Sequence, residues 1–292
     1  MIEYFDRYSQ SLREERVFGD RWLRRAYETP SGRFFCELLI KRQLVSRLYG
    51  WWARRSFTRR QVARFIEEFD IDTGEFADPP DSFGSFNEFF IRHLKPEARP
   101  VSPDESTVVF PADGRHLGFP SLEEVDRIFA KGQRFELAEL LGDDKWLDRY
   151  GKGSAVISRL CPVDYHRFHF PASGVAGQPK LINGVLYSVN PIALRRNIGI
   201  LSQNKRVLTE LETETAGRIL LLEIGATNVG SIVQTSQPGP AIKGTEKGYF
   251  EFGGSMVVTF FEPGRVQLAD DLNADRELYA RMGDRLGSIV AA

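Results

Sequence analysis

The sequence predicts an α+β protein: a helical N-terminal region followed by a predominantly antiparallel, β-rich core. Residues 1 to about 100 read as helices and connecting loops, whereas from about residue 106 Gly and Pro punctuate short β-branched or aromatic runs. Between the two lies the Pro-rich stretch Leu94-Lys95-Pro96-Glu97-Ala98-Arg99-Pro100, a natural seam. The expected organisation is therefore a 1–100 region and a 101–292 core.

In the first region, Arg33 to Arg64 holds eight Arg and one Lys against one Glu, interleaved with aromatic and aliphatic residues. Apolar residues at 34, 38, 45, 48 and 52 fall near one helical face, opposite an arginine-rich one. Adjacent Trp51-Trp52, followed by Arg54-Arg55, suits the headgroup level of an anionic bilayer, so these four residues are candidates for membrane association. The competing reading is a helix that packs on the core and leaves its arginines solvated. Nucleic acid ranks last, because no recognised binding motif accompanies the charge.

In the core, strands are expected at Thr107–Phe110, Ala155–Arg159, Val185–Val189, Val207–Glu212, Arg218–Ile224, Ser231–Gln234, Met256–Phe261 and Arg265–Leu268. Ser236–Gly248, with two prolines and three glycines, reads as a mobile surface loop. For Arg276–Leu286 neither helix nor loop is favoured. No internal repeat or low-complexity tract is present.

Composition narrows the function classes. Hydrophobic residues make up 42% of the 292-residue chain, ample for a core, and the net charge of −1 provides no general attraction to nucleic acid. Cys36 and Cys161 lie far apart and form no metal-ligand or disulfide pattern, so a reducing compartment is expected. The charged N-terminus MIEYFDRYSQSLREE lacks a signal-peptide apolar core, and no stretch approaches about 18 uninterrupted apolar residues. The chain is expected in the cytosol or facing it.

Three stretches could carry chemistry. Phe110-Pro111-Ala112-Asp113-Gly114 is a strand end followed by a tight turn that presents one carboxylate. Cys161–Pro171 holds His166 and His169, two of the four histidines; in a regular strand these would face opposite sides unless a turn or bulge intervenes. Near the C-terminus, Gly253-Gly254-Ser255 precedes an apolar run. Asp113, His169 and Ser255 are the set needed to make a hydroxyl nucleophilic, with the carboxylate orienting the imidazole and the imidazole taking the proton. No GxSxG elbow surrounds Ser255. The plainer readings are a turn aspartate, structural histidines and a turn serine.

"SFNEFFIRHLKPEARP" at Ser85–Pro100, "FPADG", "DYHRFHFPASG", "LYSVN" at Leu186–Asn190, "IGATNVGSI" at Ile224–Ile232 and "FGGSMVVTFFEPGRV" together resemble, in order, the blocks of the phosphatidylserine decarboxylases. Met256 departs from the pattern, standing where the family more often has a small hydroxyl residue. The resemblance implies a proenzyme that cuts itself between Gly254 and Ser255, with His169, oriented by Asp113, activating the Ser255 hydroxyl. The cut would fall at an exposed loop between strands and give a large chain, 1–254, and a small chain, 255–292. The small chain would begin with a pyruvoyl group made from Ser255, in place of pyridoxal phosphate or a metal. That group would form a Schiff base with phosphatidylserine, and loss of CO2 would give phosphatidylethanolamine. His166 is implied to contact the substrate carboxylate or to reprotonate the carbanion, and His93 and His116 are taken as structural. The resemblance further implies a peripheral protein on the cytoplasmic face of an anionic membrane, often a homodimer. Alternatives are a pyruvoyl decarboxylase of a soluble amino acid or another serine lipid, a Ser/His/Asp hydrolase, and a membrane-binding protein with a dead site.

Overall fold

The computed structural model describes residues 2–15, 50–123, 137–189, 194, 199–226 and 232–290. The first half of the basic stretch, including residues 34, 38, 45 and 48, lies outside the described residues. The architecture is mixed α and β, with β structure dominant.

The described strands are β1 (Glu3–Asp6), β2 (Ser11–Glu14), β3 (Thr107–Val109), β4 (Gly114–Phe119), β5 (Ser154–Leu160), β6 (Arg167–His169), β7 (Gly174–Ala176), β8 (Lys180–Ile182), β9 (Arg206–Glu212), β10 (Arg218–Gly225), β11 (Ile232–Gln234), β12 (Gly239–Ala241), β13 (Glu246–Phe250), β14 (Ser255–Phe261), β15 (Val266–Leu268), β16 (Leu278–Ala280) and β17 (Arg285–Ile289). The α-helices whose full extent lies among the described residues are α1 (Arg60–Phe69), α2 (Phe86–Phe90), α3 (Leu137–Leu141), α4 (Asp144–Tyr150) and α5 (Ile200–Gln203).

One large sheet runs β12-β7-β9-β10-β14-β5-β4-β16-β1-β2, with β8 also on β9; two three-stranded sheets run β11-β13-β6 and β15-β17-β3. Every pairing is antiparallel except β1 with β16. β14 is central, and all seven of its residues are buried. Its alternation puts Met256, Val258 and Phe260 into one apolar cluster with Leu220, Leu222 and Ile224 of β10, while Phe261 packs with Ile219 and Leu221 on the other face.

Before the seam, a phenylalanine cluster forms a separate core: Phe65 of α1, Phe76, Phe83, and Phe86, Phe89 and Phe90 of α2. Helix α2 starts on the Ser85 hydroxyl, which accepts from the Glu88 N–H, while the Glu88 carboxylate reaches back to the Gly84 N–H. Phe252, just upstream of Ser255, completes this cluster by meeting Phe86 and Phe90 edge-on at 5.0 Å each.

The structure corrects four expectations. Residues 3–14 form the β1–β2 hairpin on the edge of the large sheet, because the short alternating run EYFD can pair with Leu278–Tyr279. Val185–Val189 is not a strand: only Val185 makes a bridge, and the Asn204 side chain bonds both the N–H and the carbonyl of Tyr187 at 2.9 and 2.8 Å, satisfying that backbone locally. Ser236–Gly248 contains β12 and the start of β13, with Ala241 and Lys247 buried rather than displayed on a loop. The tail around Arg276–Leu286 supplies β16 and β17, which close two sheets.

Candidate active site

Ser255 is the first residue of β14 and is 0% exposed. This overturns the expectation of an exposed loop at Gly254–Ser255. Phe252 draws the chain into the phenylalanine cluster, and its N–H donates to the Asn87 side chain at 3.0 Å. Gly253 has φ +148°, a conformation that a side chain would strain, and so gives the turn into β14. Opposite Ser255 stand Leu160 of β5 and Gly225 of β10; the glycine leaves room beside the serine Cβ.

The Ser255 hydroxyl is held by His166. Its Oγ lies 3.1 Å from His166 Nδ1, and His166 Nε2 lies 2.8 Å from the Cys161 carbonyl oxygen. A carbonyl only accepts, so Nε2 carries the proton, and the bare Nδ1 accepts from the Ser255 hydroxyl. Phe90 stacks on the imidazole at 3.8 Å between centroids. Burial, assisted by the Arg92 guanidinium and opposed by the Cys161 carbonyl, drives the His166 pKa down to about 3. The ring is neutral in the folded protein.

His169 ends β6 and faces a different set of partners, as the strand alternation suggests. Its Nδ1–H donates to the Gly244 carbonyl at 3.0 Å, which leaves Nε2 with a lone pair, and that buried atom has no hydrogen-bond partner among the described residues. Burial lowers the His169 pKa, while the Gly244 carbonyl, Glu246 and Asp113 oppose the shift. Asp113, buried at the turn before β4, does not bond His169. Arg99 grips both its oxygens at 2.6–2.9 Å, and the Met282 N–H donates to Oδ1 at 2.9 Å. Arg99 also meets Glu75 at 3.0 Å. Gly114 is required here because a Cβ would lie 2.5 Å from the Arg159 carbonyl oxygen. Thus the structure joins Ser255 to His166 and Asp113 to Arg99; among the described residues no hydrogen bond links Asp113, His169 and Ser255 as a chain.

Sequence reasoning missed Arg99, Arg92 and Phe90. All three lie in the Ser85–Pro100 stretch, where the prolines looked like a boundary and drew attention from its charges. Arg92 is a buried cation with no carboxylate in contact among the described residues: it rests on Phe76 and Phe89 and donates at 3.3–3.4 Å to the Phe89, Val163 and Asp164 carbonyls. Burial, reinforced by the nearby Arg99 charge and only partly offset by Asp113, lowers its pKa to about 10.

The proposed membrane residues part company. Trp51 is exposed, with Arg55 over its ring at 4.0 Å, whereas Trp52 packs against the phenylalanine cluster. Arg54 is tied to Glu251 at 2.8 Å, a short distance upstream of Ser255. His116 is buried, donating from Nε2 to the Ala280 carbonyl at 3.2 Å and accepting from Ser158 at Nδ1. Among the described residues, no helix is long and apolar enough to cross a membrane, and no cluster of three or more His, Cys, Asp or Glu is placed to hold a metal.

The family model for phosphatidylserine decarboxylase matches residues 86–288, most of the chain and all of the site. Curated relatives named phosphatidylserine decarboxylase proenzyme match nearly end to end. That of Chlamydia caviae is 44% identical over 98% of this chain and 97% of its own length. That of Chlamydia muridarum is 44% identical over 97% and 96%, and that of Chlamydia pneumoniae 41% identical over 98% and 96%. With a serine buried at the head of a central strand and the neutral His166 imidazole on its hydroxyl, these matches place the chain in the phosphatidylserine decarboxylase family.

Proposed function

We propose that the chain is a self-processing proenzyme that becomes a decarboxylase of phosphatidylserine, with a pyruvoyl group generated at Ser255. The observation that carries this reading is the Gly253-Gly254-Ser255 junction, where the serine hydroxyl donates to a neutral imidazole in a buried site.

Attack of Oγ on the Gly254 carbonyl forms an ester and breaks the peptide C–N bond. Elimination then releases the Gly254 carboxylate, and one water hydrolyses the resulting imine to the ketone with loss of ammonia. His166 aligns the hydroxyl, but an imidazole with a pKa near 3 holds a proton poorly. We assign the proton to His169, whose bare Nε2 is ready to accept and whose protonated form Asp113 would favour. Arg99 holds that carboxylate in place.

The site fits a pyruvoyl group: Gly225 opposite the residue leaves space for its methyl, and the bare Nδ1 of neutral His166 can accept a proton beside it. Such a group supplies a ketone that condenses with the substrate amine and accepts the electrons left by CO2. His166, whose Nδ1 faces Ser255 Oγ, is our candidate to meet the substrate carboxylate or to return a proton. Exposed Trp51 and Phe57 suit contact with a phosphatidylserine-bearing membrane, on the segment that Arg54 ties to the cleavage region. Peripheral attachment at the cytoplasmic face, with the 1–100 region meeting the lipid, and a homodimer complete the proposal.

Intact mass spectrometry beside Ser255→Ala tests it. Expected are two chains meeting between Gly254 and Ser255, the smaller lighter than its unmodified sequence by one ammonia, and a single uncut chain for the variant. An uncut wild-type chain that reacts with a fluorophosphonate would instead indicate a serine hydrolase. His169→Ala should remain uncut, while His166→Ala should cut slowly and release no CO2; the opposite pattern would exchange the two assignments. CO2 released from serine or tryptophan but not from phosphatidylserine vesicles would move the substrate assignment to a soluble amino acid.

A further inference from the structure

His166 does not hold its own tautomer; the turn before it does. Cys161 to Asp164 closes on itself, because the Asp164 N–H donates to the Cys161 carbonyl at 2.9 Å while the Cys161 N–H donates to Asp164 Oδ2 at 2.6 Å. The same Cys161 carbonyl receives His166 Nε2–H, so both its lone pairs are used. The Asp164 carboxylate is clamped in turn: Arg115 Nη1 lies 2.6 and 2.5 Å from its two oxygens.

Arg115 is itself fixed from several sides. It sits between the Tyr4 and Tyr279 rings at 4.9 and 5.1 Å and meets Glu15 at 3.7 Å. Its cross-strand neighbour on β5, Arg159, meets Glu15 and Glu277 at 2.6 Å each and donates to the Cys161 sulfur at 3.0 Å. Burial alone would weaken the Arg115 charge; the surrounding acidic groups, Asp164 foremost, hold it firmly protonated. This cluster is buried and costly to assemble, and replacing such a network by apolar residues is often neutral or stabilising. Its orientation toward His166 gives it a use that stability does not.

We propose that Asp164, held by Arg115, is a positioning residue for the reaction at Ser255: it sets the Cys161 carbonyl that forces the proton of His166 onto Nε2 and leaves Nδ1 free for the serine hydroxyl. Arg115 and Asp164 touch neither Ser255 nor its hydroxyl and act only through the ring. The comparison that matters is between Asp164→Asn and Asp164→Ala. The amide oxygen of Asn can still accept from the Cys161 N–H, whereas Ala keeps only the main-chain bond to the Cys161 carbonyl and loses both the bond from the Cys161 N–H and the clamp on Arg115.

Two measurements test this, and only the second rests on the self-cleavage proposed above. In the uncut Ser255→Ala chain labelled with 15N and 13C histidine, the His166 ring, assigned with His166→Gln, should show the Nε2–H form. Adding Asp164→Ala should shift it to a mixture with Nδ1–H, and adding Asp164→Asn should largely keep it. In chains that retain Ser255, Asp164→Ala should slow cleavage about 100-fold, the scale that misplacing a reacting group costs, with Asp164→Asn recovering most of the loss. An unchanged His166 tautomer in a folded Asp164→Ala chain, or equal cleavage by Asp164→Ala and wild type, would overturn the proposal. If Asp164→Ala fails to fold, Arg115→Gln is read in the same way, and retention of the pure Nε2–H form there would equally refute it. Loss of cleavage with the tautomer intact would count against the positioning role without touching the assignment of Ser255.

Discussion

The pair Glu223–Lys247 offers a sharp test of the core's electrostatics. Lys247 Nζ lies 2.9 Å from Glu223 Oε1 and donates to Gln234 Oε1 at 2.6 Å, with side-chain exposures of 1% for Lys247 and 0% for Glu223. Lys247 also lies over the Phe168 ring at 5.4 Å. Burial lowers the Lys247 pKa, and Glu223 opposes the shift. Lys247→Met removes the cation and leaves a buried carboxylate, which relaxes by taking up a proton. At pH 7 that proton costs at most the gap from the ordinary glutamate value of about 4.3, or about 3.7 kcal/mol. This agrees with the roughly 3–5 kcal/mol found when one partner of a buried pair is removed. The variant's folded state then binds one proton more than its unfolded state above pH 4.3, so its stability should fall by about 1.4 kcal/mol per pH unit between pH 5 and 7 relative to the parent. Urea unfolding of both chains in the Ser255→Ala background, at pH 5, 6 and 7, reads this directly. Adding Glu223→Leu should restore stability to within about 1–2 kcal/mol of the parent and remove the extra slope. A Lys247→Met cost under about 1 kcal/mol with no added pH dependence would refute the reasoning, because the carboxylate would then have found water.

Further expectations concern the site and its surroundings. Phe252→Ala should destabilise the chain by about 3–5 kcal/mol in urea, since it empties the place between Phe86 and Phe90. His116 and His166 both have folded pKa values near 3, lowered chiefly by burial, so their unfolded forms bind protons that the folded forms do not. Their contribution is present above about pH 6.5 and is lost toward pH 3, at about 1.4 kcal/mol per pH unit for each ring. His116→Gln should reduce the acid slope of stability by about that amount, and an unchanged slope would exclude the neutral buried ring. Replacing exposed Trp51 and Phe57 with Ser should leave the melting temperature nearly unchanged while weakening binding to phosphatidylserine/phosphatidylcholine vesicles by about 10-fold per residue, the equivalent of about 1.4 kcal/mol each.

The sequence announced those strands whose side chains alone decide the matter. Arg218–Gly225 and Ser255–Phe261 are mostly apolar because an apolar cluster covers each face of the large sheet there, and they appear where expected. What stayed hidden depends on partners far away in the chain. The run EYFD is a strand because Leu278 and Tyr279 lie beside it, and LYSV is not one because Asn204 bonds Tyr187. The sequence offered Asp113, His166, His169 and Ser255 as candidates but not their bonds, and of the four the structure joins Ser255 to His166. That His166 rather than His169 reaches the hydroxyl follows from the turn made by Cys161 and Asp164, and that Asp113 faces Arg99 follows from how the Ser85–Pro100 stretch folds back over it. Neither could be obtained from spacing.

The position of the Gly254–Ser255 junction also bears on what a cut there would do. Because Ser255 is buried, an external protease has no access, and the groups able to break the bond are those already inside. A small chain beginning at Ser255 would contribute β14, β15, β16 and β17. β14 pairs along seven residues with β10 on one side and seven with β5 on the other, β16 pairs with β4 and β1, and β17 pairs with β3. Dissociation would therefore open all of these ladders and expose Met256, Val258 and Phe260 to water, at about 1.5–3 kcal/mol for each large apolar side chain. A cut at this junction would change the chemistry at one residue while the ladders on both sides of β14 hold the strands in place, and that is the condition for a backbone break to create a new reactive group without dismantling the site around it.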